Sequence, residues 1–159
     1  MRSSGFVKLA VNVLPPVAGG TLTGYLASRN TKEIYRNLKK PAFSPPSWVF
    51  PTVWTGLYTL MGAARYHVAA KQKQDPKSLA FYNIQLTLNF LWSFLFFKWG
   101  LRGFAFIEAA MLFTMVSLTG YKFYQEDKAA GLAMVPYALW AAFAMGLNFS
   151  VWKLNKQQG

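Results

Sequence analysis

Four windows of this chain carry no charged residue: Leu9 to Ser28, Pro41 to Ala64, Ser78 to Phe97 and Ala129 to Trp152. Each reaches the roughly 20 residues that an α-helix needs to cross a hydrocarbon core. A fifth apolar stretch lies between Arg102 and Lys122 and is interrupted only by Glu108. These runs lack the alternation of barrel strands, and in lipid the backbone polar groups must be satisfied within the segment. The pattern therefore predicts an all-α integral membrane protein, a bundle of five transmembrane helices near 6–27, 47–69, 78–99, 103–124 and 130–153, in a single domain 1–159.

Every connection but the first is short and leaves no room for a second domain. The exception, 28–46, is long enough to fold over one mouth of the bundle and is the candidate lid; loops of this length in compact domains tend to be functional or mobile. Pro45 and Pro46 hold its last residues extended, and Pro51 falls close enough to the start of the next helix to be tolerated there. That helix opens on an aromatic wall of Trp48, Trp54 and Tyr58. Gly20 with Gly24 and Ala142 with Gly146 are small-xxx-small pairs that allow close helix approach, either within one chain or across a homodimer.

Composition sharpens the class: 53% of residues are hydrophobic and 18% aromatic, with five acids among 159. The formal charge of +12 comes from 17 basic residues at helix ends and in short loops, which suits anionic membrane lipids and not nucleic acid. Arg29, Lys32, Arg36, Lys39, Lys40, Lys98, Arg102, Lys153 and Lys156 fall on the C-terminal side, against Arg2, Lys8, Arg65, Lys71, Lys73, Lys77, Lys122 and Lys128 on the other. That balance is nearly even, and the dense basic loop after the first helix favours a cytosolic C-terminal side. No cleavable signal is evident, so the first helix is expected to stay. Cysteine is absent and His67 is the single histidine, so neither a thiolate nucleophile nor a metal pair is available and no cofactor is expected.

The chemistry on offer is indole, phenol and amide. Gln85, Asn89 and Trp92 share one face of the third span, Tyr137, Trp140, Ala144, Leu147 and Val151 share one face of the fifth with Asn148 beside it, and Trp54 and Tyr58 are one turn apart on the second. These faces make either an aromatic core with interhelical hydrogen bonds or a ligand cavity for a flat apolar molecule. Glu108 is read as lying near a helix end and bonded to a neighbouring hydroxyl or amide, the alternative being a functional intramembrane carboxyl. His67 is placed at the membrane edge. No nucleophile beside a base, and no paired acids, recommend hydrolytic or isomerase chemistry.

Three ordered segments, KPAFSPPSWVFPTVWTGLYTLMG from Lys40, QLTLNFLWSFLFF from Gln85 and VPYALWAAFAMGLNFSVWKLN from Val135, resemble the TspO/translocator protein family, the peripheral-type benzodiazepine receptors. The likeness covers nearly the whole chain. It implies a five-helix bundle, often dimeric, with a cavity that opens toward the first loop. In that cavity it implies binding of porphyrins such as protoporphyrin IX and of benzodiazepine-type ligands, with a sterol site near the last helix. It also implies the mitochondrial outer membrane in an animal or fungus and the cell membrane in a bacterium.

Carried over by position, Trp54 and Trp140 match tryptophans of the porphyrin pocket that are implicated in light-dependent porphyrin breakdown. Asn89 and Trp92 match pocket positions of the third helix and Ala144 and Leu147 those of the fifth, with Tyr58, Phe43 and Trp48 at the wall and lid. Phe104, Ile107 and Met111 fall where the fourth helix lines the cavity. Two departures stand out: Phe43 replaces a common Trp, and Phe149 replaces the Tyr of a sterol pattern otherwise carried by Leu147 and Lys153.

Overall fold

The computed structural model describes residues 4–27, 31–71 and 75–156; Arg2, Arg29, Lys73 and the first residues of the candidate lid lie outside them. Helices follow one another almost without interruption: α1 (Gly5–Ala27), α2 (Thr31–Asn37), α3 (Val49–Ala69), α4 (Pro76–Ser93), α5 (Arg102–Glu126), α6 (Lys128–Ala133) and α7 (Val135–Asn155). No strand occurs among the described residues.

By length and composition four helical stretches can cross a membrane: Gly5–Ala27, Pro76–Lys98, Arg102–Glu126 and Lys128–Asn155. The fifth expected span, α3, is long enough at 21 residues. It falls short on apolarity because Pro51, Trp54, Tyr58, the threonines and Arg65 displace aliphatic side chains. Of these, Tyr58 is buried and Trp54 half-buried, while Thr52, Thr55 and Thr59 are exposed and bond back to carbonyls of their own helix.

Helix ends are set by local chemistry. Asp75 caps α4 by accepting from the Lys77 backbone N–H at 2.9 Å, with Pro76 in the first turn, where a missing N–H costs nothing. Past Ser93 the helix widens into a π turn, Phe94–Lys98, closed by Trp99 N–H on the Phe94 carbonyl at 2.8 Å. Gly100 then takes a φ of 62°, a left-handed turn that a β-carbon would oppose, and the chain reverses into α5. The last span is broken near Met134, so that Asp127 caps a short α6 before α7 starts with Pro136 in its first turn.

α1 lies on α3, and α5 on both α4 and α7. A β-carbon on Gly62 would sit 2.6 Å from the Val13 α-carbon and 2.8 Å from the Asn12 carbonyl, so α1 and α3 meet backbone to backbone there. Gly20 is likewise filled by the Tyr58 ring, which puts this small residue to use inside the chain, whereas Gly146 faces open space. The main core joins Met61, Val68, Tyr82, Val116, Phe123 and Tyr137, all essentially inaccessible.

Candidate functional site

The interior polar residues converge on α3, α4 and α7. On α3, Phe50, Trp54 and Tyr58 recur at a spacing of four and therefore share one face. The Tyr58 hydroxyl donates to Asn89 Oδ1 at 2.6 Å, and Asn89 Nδ2 donates to the Tyr137 hydroxyl at 2.7 Å. One amide thus bridges phenols from two other helices. One turn further along α4, Trp92 Nε1 donates to Asn148 Oδ1 at 2.9 Å, and Asn148 Nδ2 reaches the Arg102 carbonyl at 3.0 Å, joining α4 and α7 to the start of α5. Gln85 is fully buried one turn the other way, its Nε2 near Met61 Sδ.

Above this amide layer the rings dominate. Trp54 stacks on Tyr58 with centroids 5.5 Å apart and meets Tyr137 and Trp140 edge to face at 6.0 and 6.5 Å. Trp140 also contacts Phe50 and Phe143. Aromatic pairs at these distances and angles are favourable beyond their buried area. The slot they surround is walled further by Trp92, Ala144 and Leu147. Trp140 Nε1 is buried there without a hydrogen-bond partner.

The lid is in place. Its α2 helix lays Tyr35 over the slot, edge to face with Phe50 at 5.2 Å, while the Tyr35 hydroxyl donates to the Pro45 carbonyl at 2.7 Å. Burial pushes the Tyr35 phenol above its usual range. Asn155, at the end of α7, acts as a two-way clasp: Lys39 N–H donates to Asn155 Oδ1 at 3.0 Å and Asn155 Nδ2 donates to the Lys39 carbonyl at 2.9 Å. Asn155 Nδ2 also bonds the Val151 carbonyl at 2.7 Å, which fixes its rotamer.

With the lid shut, the slot holds only about 30 Å³. That is close to one water's share of liquid, against roughly 300–1,000 Å³ for a ligand pocket. The expected hollow, roomy enough for a planar guest, is therefore corrected: the protein's own rings and lid fill it.

Of the expected site residues, Trp54, Tyr58, Asn89, Trp92, Trp140, Ala144 and Leu147 do come together. Phe43 sits at the rim, half-exposed, edge to face with Phe143 at 6.1 Å. Trp48 does not join them; it is 66% exposed at the start of α3. Phe104, Ile107 and Met111 are also outside, 66%, 58% and 52% exposed. The reason is rotational: α5 buries Ala105, Ala109, Leu112 and Val116 against its neighbours, which turns the 104, 107, 111 row outward.

The sterol set divides in the same way. Leu147 points inward, while Phe149 faces out against Phe106 and Trp152 with the Lys153 ammonium 5.3 Å from its ring centre. Two residues of separation place them on opposite sides of α7, so they do not form one contact surface. Glu108 is buried and has no hydrogen-bond partner among the described residues, contrary to the bonded carboxyl expected from the sequence. Tyr35, Phe50 and Asn155 were missed. Phe50 was legible as the position one turn before Trp54; Tyr35 and Asn155 owe their roles to the lid's path, which no periodicity encodes.

Comparison with known proteins places this arrangement. The sequence matches the TspO/MBR family over residues 12–153. It is 42% identical to the tryptophan-rich sensory protein of Cereibacter sphaeroides over 123 residues, 77% of each chain. It is 35% identical to the tryptophan-rich protein TspO of Archaeoglobus fulgidus over 156 residues, 94% of this chain and 97% of that one. With the translocator protein of Sus scrofa it shares 32% identity over 153 residues, 89% of this chain and 90% of the other.

Proposed function

The chain belongs to the TspO/MBR family of membrane proteins, and from that premise we propose that it binds a porphyrin-class tetrapyrrole between α3 and α7 once the lid swings away. In this reading α3 is the fifth membrane span, its Phe50 and Trp54 turned to the ligand slot and its exposed threonine hydroxyls satisfied by carbonyls of the same helix. The observation that carries it is Trp140 Nε1, a buried donor without an acceptor beside a slot walled mostly by rings. Buried polar groups are nearly always paired, and a flat guest with polar edges supplies the missing acceptor. Rings at both faces supply stacking.

Protoporphyrin IX added to purified protein in detergent is expected to quench tryptophan fluorescence saturably. Trp54→Phe combined with Trp140→Phe is expected to weaken binding at least tenfold. Unchanged affinity in that double variant sinks the assignment. Haem, cholesterol and a benzodiazepine-type ligand titrated alongside rank the classes; a sterol or drug that enters the same slot must displace the porphyrin.

A second reading is light-dependent breakdown of the bound porphyrin, with molecular oxygen as oxidant and Trp54 and Trp140 as electron donors to the excited macrocycle, the indole radicals regaining their electrons from the porphyrin as it is oxidised. It is favoured by the continuous ring contacts from Trp140 through Trp54 to Tyr58. Multiple turnovers to a defined product under illumination support it, and bleaching that consumes the protein one for one rejects it.

A further inference from the structure

A second cavity is larger than the aromatic slot. A groove of about 610 Å³ opens on the outside of the bundle, where α2, the turn before α5 and the end of α7 meet. Its walls combine two cations, Arg102 and Lys156, with Leu38, Leu101, Phe104 and Trp152. Arg102 begins one apolar span and Lys156 follows the end of another, so both stand at headgroup depth.

Neither cation has a carboxylate within ion-pair distance among the described residues, where the ion pairs join Lys71 to Asp127 and Lys122 to Asp75. Arg102 rests on the Phe96 ring at 5.6 Å, and its Nε is shielded from solvent with no hydrogen-bond partner. Lys156 lies over Trp152 at 5.5 Å. From the groove's apolar lip the exposed row Phe104, Ile107, Met111 continues down α5 at i, i+3 and i+7.

We propose that this groove binds one anionic phospholipid, its phosphate held between Arg102 and Lys156 and an acyl chain laid along Phe104, Ile107 and Met111. A free phosphate has no use for the apolar row. A sterol has none for two cations. The row that sequence reasoning assigned to the interior cavity thus serves the outer surface.

The test is native mass spectrometry of the purified protein in detergent with phosphatidylglycerol or phosphatidylcholine of identical acyl chains. The wild type is expected to retain one phosphatidylglycerol in clear preference to phosphatidylcholine, a readout that needs no variant. Arg102→Gln with Lys156→Gln is expected to weaken phosphatidylglycerol retention roughly fivefold for each charge removed. Lys156→Gln alone, at an exposed helix end, is expected to give one such step with no risk to folding. Lys77→Gln with Lys128→Gln removes the same charge at the opposite end and is expected to change nothing. Equal retention of both lipids by the wild type overturns the proposal, as does an equal loss in the opposite-end variant. Inorganic phosphate is expected to leave no adduct; one that Arg102→Gln abolishes marks a bare anion site and overturns the lipid assignment.

Discussion

The two ends of the bundle use charge in opposite ways. At the end carrying α6, each acid serves the protein: Asp75 and Asp127 cap helices and pair with Lys122 and Lys71 at 3.2 and 3.1 Å, and Glu126 accepts from the Asp75 N–H and the Ser78 hydroxyl. In the lid-end half the acids are Glu33 and, two turns into α5, the buried Glu108; neither pairs with the cations Lys98, Arg102, Lys153 and Lys156, which lie over aromatic rings instead. A cation over a ring is held weakly and stays open to a stronger anionic partner. One end is closed upon itself, and the other is built to meet molecules from outside.

The most damaging break in this division is at the layer between the two ends. Asn89→Leu is expected to strand the hydroxyls of Tyr58 and Tyr137, both buried, at a cost of about 3 kcal/mol. The unfolding midpoint in detergent should drop by roughly 6–12 °C. A midpoint within a degree of wild type means that the bridge holds nothing together.

Gly62→Ala attacks the closed half alone. Its β-carbon meets backbone atoms of α1, which cannot swing aside, so a loss of about 1–3 kcal/mol is expected. Gly146→Ala faces open space and should stay within about 0.5 kcal/mol of wild type. Thermal unfolding of the pair, read side by side, checks both. Equal midpoints remove the close approach of α1 and α3 from the account.

Asn155→Ala, by contrast, sharpens the open half. Losing both bonds to Lys39 frees the lid at little cost to the bundle, since the released backbone groups lie near the mouth and can find water. Stopped-flow quenching by protoporphyrin IX should then show association faster by roughly fivefold, the equivalent of about 1 kcal/mol of latch. An unchanged rate assigns the clasp to structure only.

How much of this was legible beforehand follows from the same contrast. Charge-poor windows located the four helices long and apolar enough to cross a membrane, because lipid excludes charge along a whole helix; the window over α3 gave a helix of spanning length that is less apolar. The inward faces of α4 and α7 were readable because amides and rings recur there at helical spacing. α5 was misread because both of its faces are apolar: a lipid-facing Phe104 and a core-facing Leu112 carry the same signal, and only the small residues Ala105 and Ala109 mark the buried side. The closed slot was illegible, because its volume depends on where the lid lies, and that is set by one clasp to Asn155 more than a hundred residues away. The α4–α5 turn hid for a related reason, its π turn and left-handed Gly100 being properties of five or six residues acting together.

The smallest effect concerns acid. The Ala130 backbone N–H, reinforced by Lys71, holds the Asp127 carboxyl below the usual carboxylate range, and the Lys77 N–H with Lys122 does the same for Asp75. A carboxyl that resists protonation more strongly when folded contributes stability that is complete above the unfolded-state value, near pH 4, and is lost as pH falls through the folded-state value beneath it. The wild type should therefore hold its unfolding midpoint from pH 7 to about pH 5 and lose it progressively below pH 4. Asp127→Asn keeps a side chain able to cap α6 but removes the charge that Lys71 meets, so its midpoint at pH 7 should fall by about 2 °C or less. Its decline in acid should be shallower than wild type, because one of the two shifted groups is gone. Parallel curves for the two proteins would show that Asp127 serves only as a cap, and that the pairing of charges does not set the closed end apart from the open one.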